Sequence, residues 1–253
     1  MPLDISFTTL VYAWTLLAVV VFFVLLRVRA PYGRYATARW GPSLPHRAGW
    51  ITMELVSPTV FLLFFLRGGG PPSALPWLFA ALWVGHYANR AIVYPIRQRS
   101  SSRRMPVVIL LSGIVVNTVN GYFNGHYLGA LAPPYPLGWP GDPRFLAGAL
   151  LFAAGSAINV RADRVLRGLR APGESGYGIP HGGMYRWVSC PNYLGEIVQW
   201  TGFALMTWSL PAAAFAIWTV ANLVPRAVQH HRWYRVRFPD YPDDRKALLP
   251  GLL

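Results

Sequence analysis

The chain has 253 residues, 54% of them hydrophobic and only 13% charged, with a net charge of +14 and a single cysteine. Charged residues make up about a quarter of an ordinary soluble domain, so a soluble globular protein fits poorly, and the apolar and aromatic content excludes a disordered chain. One cysteine excludes a disulfide framework, which leaves an integral membrane protein built on apolar stretches of about 20 residues.

Residues 5–26 carry no charge and are long enough to cross a bilayer. Asp4 precedes them and Arg27 and Arg29 follow, the reverse of a cleaved signal peptide, so the segment reads as a retained helix with its N-terminus outside. Further spans are expected at 50–66, 75–96, 106–131, 144–161, 192–208 and 211–231. The predicted fold is therefore all-α: one polytopic membrane domain of seven transmembrane helices. Pro58, Pro76 and Pro211 fall near helix starts or at kinks, which membrane helices tolerate when neighbours re-pair the freed backbone.

The basic residues alternate with the spans. Twenty of the 23 lie in loops 27–49 and 97–105, in segment 161–191 and in the C-terminal stretch from Arg226. The intervening loops hold only Arg67 and Arg144, and Arg90 lies inside the third span. The positive-inside rule gives an N-out, C-in protein with the large loop and the tail in the cytoplasm. Basic clusters placed between membrane-length spans are a topology signal, so nucleic acid is not expected as a partner.

Ionisable side chains at bilayer depth ordinarily face a cavity or a partner. Glu54 and Glu196 fall within spans. The third span carries His86, Tyr87, Asn89 and Arg90, and the fourth carries Asn117, Asn120 and Asn124 on one helical face. Asn159 and Asp163 are four apart, as are Asn192 and Glu196, and Arg226, His230 and Tyr234 repeat the spacing. Any one of these could be helix–helix glue, but five spans each turning a polar stripe inward point to a polar chamber, either a transport path or an active site. The stripes of the last three spans gather at cytoplasmic ends beside the loop APGESGYGIPHGG (171–183) and behind Arg161, Arg164, Arg167 and Arg170. Gly-rich backbone beside guanidinium groups suits phosphate oxygens. No repeat symmetry suggests a transporter, no Walker or G-x-G-x-x-G motif suggests a soluble nucleotide fold, and a metal site has weak support.

The stretches RAGWITMELVSP (47–58), GHYANRAIVYP (85–95), INVRADRVLRGLRAPGE (158–174), PGESGYGIPHGGMYRWVSCPNYLGEIVQWTGFAL (172–205) and HHRWYRVRFPDYPDDRKALLPGLL (230–253) resemble the steroid 5α-reductase family. The likeness runs in register from about residue 47 to the C-terminus. It implies a seven-helix membrane enzyme that uses NADPH to reduce the C4=C5 double bond of a 3-oxo-Δ4-steroid. Under this resemblance Glu54 and Tyr87 are the pair that binds the 3-keto oxygen. Asn159, Asp163, Arg170, Tyr177, Asn192, Glu196, Arg226, His230 and Tyr234 line the cofactor, joined by Tyr32 and Arg104. Residues 1–131 then form the substrate side and 132–253 the cofactor side. Gly178, Cys190-Pro191, Met53, Asn124 and His126 depart from the family pattern and bear on substrate identity more than on reaction type.

The chemistry fits these residues. Hydride addition to the β-carbon of an enone builds charge on the carbonyl oxygen, and a donor aimed at that oxygen lowers the barrier. Tyr87 can donate from its phenol, and Glu54 can orient that phenol or, protonated, donate directly. A flat apolar steroid reaches the first four spans from the lipid, and an anionic dinucleotide arrives from the Arg-rich cytoplasmic side. The expected partners are the steroid and membrane lipids. The chain is expected to be a monomer in a bacterial inner membrane, or in the endoplasmic reticulum of a eukaryote. The alternatives are a reductase of another lipid enone or polyprenol, an S-adenosylmethionine-dependent methyltransferase on the same helical framework, and a transporter or sterol-binding protein without a cofactor.

Overall fold

In apolar surroundings every backbone N–H and C=O must be paired within its own segment, and the apolar runs of this chain fold as helices accordingly. The computed structural model describes residues 5–31, 33–35, 40–69, 73–98, 104–169 and 177–253. In chain order the helices are α1 (Ile5–Arg27), α2 (His46–Arg67), α3 (Ala74–Ala88), α4 (Tyr94–Arg97), α5 (Val107–His126), α6 (Pro143–Gly168), α7 (Pro191–Thr207) and α8 (Leu210–Arg237). The strands β1 (Ser43–Pro45) and β2 (Arg104–Pro106) pair antiparallel, with Leu44 opposite Met105.

Among the described residues, five helices are long and apolar enough to cross a membrane: Ser6–Arg27, His46–Arg67, Val107–Leu131, Pro143–Gly168 and Leu210–Arg237. The other two predicted spans are not among these five: the third is a continuous helical path whose second half carries His86, Asn89 and Arg90, and the sixth is a shorter helix. Helix α3 passes into a π-helical turn, Asn89–Val93, before α4 continues the helical path to Arg97. Helix α7 is bounded by Pro191 at its start and by Trp208, left-handed at φ 45°, at its end. Helices α6 and α8 outrun the predicted 161 and 231, because hydropathy falls at the first arginines while Arg, Ala and Leu remain good helix formers in water.

The chain divides into two compact units. The first comprises Met1–Thr8 and Pro31–Trp139. Its core is α2 packed between α3 and α5. The buried face of α2 runs Trp50, Met53–Glu54, Ser57–Pro58, Phe61 and Phe65, the spacing of one helical stripe. Against α3 and its continuation into α4, Trp50 meets Tyr94 with ring centroids 5.7 Å apart, Phe61 stacks on Trp83 at 5.0 Å and Phe65 meets Trp77 at 5.0 Å. The two helices are therefore antiparallel. Against α5 the packing is parallel and close. A Cβ added at Gly121, Gly125 or Gly129 would overlap the carbonyl oxygen of Ser57, Phe61 or Phe65 in turn. This is the small-xxx-small pattern that lets membrane helices touch backbone to backbone.

The second unit comprises Thr9–Ala30 and Pro140–Leu253. Glycines again set its tightest contact. Gly148 meets Gly202, and Gly155 meets Gly195, across antiparallel α6 and α7, where a Cβ at any of the four would fall against facing backbone. Helix α8 closes the unit through Trp200 on Phe215 at 4.6 Å, and α1 through Trp14 on Trp218 at 4.5 Å. The C-terminal tail docks by backbone bonds: Ser189 N donates to Lys246 O at 2.8 Å and Lys246 N to Trp187 O at 2.9 Å.

Candidate functional site

In the first unit, the antiparallel register of α2 and α3 brings the polar residues of the two helices together. Glu54 is 8% exposed and Tyr87 4% exposed. Arg90 Nε lies 3.9 Å from Glu54 Oε1, one turn beyond Tyr87 on the same face of the helix. Three contacts fix Arg90 there. Its carbonyl accepts a hydrogen bond from Trp50 Nε1 at 2.9 Å, and its guanidinium lies 4.8 Å over the Trp50 ring and 5.4 Å over Tyr94. Arg90 belongs to the π-helical turn, a local widening that often marks functional positions. Sequence reasoning placed Arg90 inside a span and gave it no role; its signal was the cation at membrane depth. The Tyr87 ring packs against Trp83 at 5.7 Å and His86 at 5.1 Å.

Pro58 adds a second local feature. It has no N–H for the carbonyl four residues back, which belongs to Glu54. One residue earlier, the carbonyl of Met53 accepts from Asn117 Nδ2 of α5 at 2.8 Å. The α2 backbone around Glu54 is thus held by side chains as well as by its own ladder. Farther along α5, Asn124 Nδ2 donates to Asn120 O at 3.0 Å.

In the second unit the predicted polar residues form three groups. Asn159 Nδ2 donates to Asn192 O at 2.9 Å, and Asn192 Nδ2 to Asp163 Oδ1 at 3.3 Å, with Asn159 and Asp163 both buried. This set bridges α6 and the first turn of α7. His230 Nε2 lies 3.2 Å from Tyr193 OH, while Arg226, one turn before His230, and Glu196, one turn after Asn192, are half-buried. Tyr234 is buried and stacks on Tyr241 at 5.2 Å; Tyr177 meets Trp233 edge-on at 5.2 Å.

Three predicted residues are not in these groups. Arg104 belongs to the first unit, where Nε donates to Ser43 Oγ at 2.8 Å on the exposed edge of β2. Tyr32 and Arg170 lie outside the described residues, as do residues 171–176 of the glycine-rich loop. Conversely, Arg245 was not singled out in the sequence, where it looks like any tail arginine. It is 2% exposed, donates to Pro180 O at 3.2 Å and lies 4.8 Å over Tyr241. Beside it Ser189 Oγ lies 2.6 Å from Tyr241 OH and 2.7 Å from His231 Nδ1. Burial first, then the Asp163 carboxylate, pushes the Tyr185 phenol well above its ordinary range, so it stays a donor, reaching Ala162 O at 3.4 Å. An apolar cleft of about 590 Å³ opens between α7 and α8 around Leu205, Trp208, Ile217 and Val220, with no titratable group in its lining.

Sequence comparison gives consistent matches. The profile of the family described as 3-oxo-5-alpha-steroid 4-dehydrogenase matches residues 103–253. The chain is 42% identical over 248 residues to 3-oxo-5-alpha-steroid 4-dehydrogenase 1 of Bos taurus, covering 96% of each. It is 41% identical to steroid 5-alpha-reductase DET2 of Gossypium hirsutum, covering 88% of each. To 3-oxo-5-alpha-steroid 4-dehydrogenase 2 of Homo sapiens it is 44% identical, covering 82% of this chain and 81% of that one.

Proposed function

Because the chain belongs to the 3-oxo-5-alpha-steroid 4-dehydrogenase family, we propose that it reduces the C4=C5 double bond of 3-oxo-Δ4-steroids to 5α-reduced 3-oxo-steroids with NADPH. The observation that carries this reading is the buried polar cluster of the first unit, Glu54 against Arg90 at 3.9 Å on the helix that also bears Tyr87. A carboxyl, a guanidinium and a phenol inside an apolar helix pack are hard to explain as packing alone.

The donor set of the second unit fits a dinucleotide. Asn159, Asn192, Asp163 and Glu196 offer amides and carboxylates to polar ring and ribose groups. Arg226 and His230 offer donors to anionic oxygens. Arg245 adds a buried guanidinium whose Nε has no hydrogen-bond partner among the described residues. NADPH, when bound, would supply the hydride to the enone β-carbon, and a proton taken up from water at the α-carbon would complete the reduction. The charge that develops on the 3-keto oxygen is met by the Tyr87 phenol, and a preorganised donor of this kind contributes about 3–4 kcal/mol. Glu54 orients that phenol, and Arg90 holds Glu54 in place.

The same reading sets the chain in the membrane as seven spans, N-out and C-in, with residues 1–131 on the substrate side, 132–253 on the cofactor side and the cofactor approached from the cytoplasm. The steroid comes from the lipid to a single chain. The alternation of basic loops supports this topology. So do antiparallel α2 and α3, parallel α2 and α5, and antiparallel α6 and α7.

Protein purified in detergent is expected to convert a 3-oxo-Δ4-steroid to its 5α product with NADPH and not without it. Glu54→Gln and Tyr87→Phe should each lower kcat/KM by about 100-fold or more, with the unfolding temperature unchanged in Tyr87→Phe and lowered in Glu54→Gln, which leaves Arg90 without its buried partner. Turnover of polyprenols or other lipid enones alone, or thermal stabilisation by S-adenosylmethionine in place of NADPH, would overturn the assignment.

A further inference from the structure

Helix α2 has a fixed register to each neighbour in the first unit. Toward antiparallel α3, Glu54 meets Arg90 at 3.9 Å and Phe61 meets Trp83 at 5.0 Å. The α2 residue level with Tyr87 is therefore Ser57. Toward parallel α5, Asn117 bonds the carbonyl of Met53, and Gly121 closes on the carbonyl of Ser57. Ser57 thus sits where both neighbours converge, one turn from Glu54.

Ser57 is 0% exposed, and its Oγ has no hydrogen-bond partner among the described residues. Helical Ser and Thr ordinarily return the hydroxyl to the carbonyl four residues back. Thr15, Thr59, Ser156, Thr207 and Thr219 all do so here, at 2.7–2.9 Å. For Ser57 that carbonyl is Met53's, and Asn117 of α5 has taken it at 2.8 Å. A hydroxyl buried without a partner destabilises a protein, so its presence beside Glu54 and Tyr87 calls for a partner that arrives from outside the chain.

We propose that Ser57 is the second donor to the ketone oxygen of the substrate, Tyr87 being the first. A carbonyl oxygen has two lone pairs and accepts two such bonds, and both strengthen as negative charge gathers on it. The inference rests on the reductase reading of Glu54 and Tyr87 and adds a substrate-binding residue to it. The competing account is that Ser57 is small only because Gly121 lies against it. Alanine satisfies that demand as well as serine does.

The test is ligand affinity in detergent, read by tryptophan fluorescence, for a 3-oxo-Δ4-steroid and for its analogue lacking the 3-oxygen. The wild type is expected to prefer the ketone. Ser57→Ala should weaken ketone binding by about tenfold, as for one lost hydrogen bond, and leave the deoxy analogue unchanged. Its unfolding temperature should be equal or higher, and kcat/KM should fall at least as far as the affinity. An undiminished ketone preference in Ser57→Ala overturns the proposal while leaving the reductase reading standing. Equal loss of both ligands assigns Ser57 to packing and also overturns it. A wild type with no preference for the ketone removes both.

Discussion

Glu54 and Arg90 are the residues whose energetics most constrain the site. Their side chains are 11% and 13% exposed and meet at 3.9 Å. Removing one member of such a pair leaves the other charge buried and uncompensated, whereas removing both does not. Arg90→Met should therefore lower stability by about 3 kcal/mol, and Arg90→Met with Glu54→Gln should recover most of that. Chemical denaturation of the four proteins of the cycle measures the coupling, and additive losses would show that the two charges act independently. The residue scale is also where the sequence was most informative for this site. Glu54 stood out as a carboxyl at membrane depth, and Tyr87 among the polar residues of the third span, with its role given by the family resemblance. The partner of Glu54 did not, because it depends on helix register and on a π-helical turn, neither of which has a local sequence marker. Arg245 was illegible for a different reason. Its burial is conferred by the docking of the tail beside Trp187–Cys190, and composition does not separate it from its solvated neighbours Arg235 and Arg237.

Among the elements, two glycines differ sharply in what surrounds them. Gly125 lies against the backbone of Phe61, whereas a Cβ at Gly85 meets nothing within 4 Å. Gly125→Ala should force α2 and α5 apart at a cost of about 1–3 kcal/mol, the range for overpacking. Gly85→Ala should raise stability by about 0.5–1 kcal/mol through helix propensity. Thermal unfolding of the two variants in one detergent checks the pair, and equal effects would remove the close-contact account of α5. The start of α6 offers a pH test. Asp142 caps this helix, accepting from Arg144 N at 2.8 Å and from the Arg144 guanidinium at 2.8–2.9 Å. The Arg144 hydrogen bonds hold its carboxyl down at about 2 from the usual 3.8. A carboxyl depressed on folding stabilises above its ordinary pKa, and that stabilisation fades as pH falls toward the depressed value. The unfolding temperature of Asp142→Ala should thus lie below that of the wild type at pH 7. The gap should narrow between pH 4 and pH 2 and shrink in high salt, since the pair is exposed. The existence of the helices was legible from hydropathy, but their contacts were not. The Asn117, Asn120 and Asn124 stripe predicted a polar face, and two of the three in fact bond backbone carbonyls, one of them across to α2.

For the molecule as a whole, the proposed topology makes a claim that no single residue or helix can test. The basic loops assign the segment between α5 and α6 to one side of the membrane and the C-terminal tail to the other. Within each unit the helix directions agree with strict alternation, since α3 runs against α2, α5 runs with it, and α7 runs against α6. Two positions report on the two sides without disturbing either unit. Leu137 is fully exposed in the loop after α5, and the Asp243 side chain is 95% exposed in the tail, with Arg235 3.7 Å away. The sole cysteine, Cys190, is buried, so it should stay silent to a membrane-impermeant maleimide in folded protein. Leu137→Cys should label in intact cells, and Asp243→Cys only after the membrane is opened. Labelling of both positions from outside would mean an even number of spans and would place the tail, with Arg245 and Lys246, away from the cytoplasmic dinucleotide. The hydride-transfer assignment would then have to give up either its cofactor or its orientation.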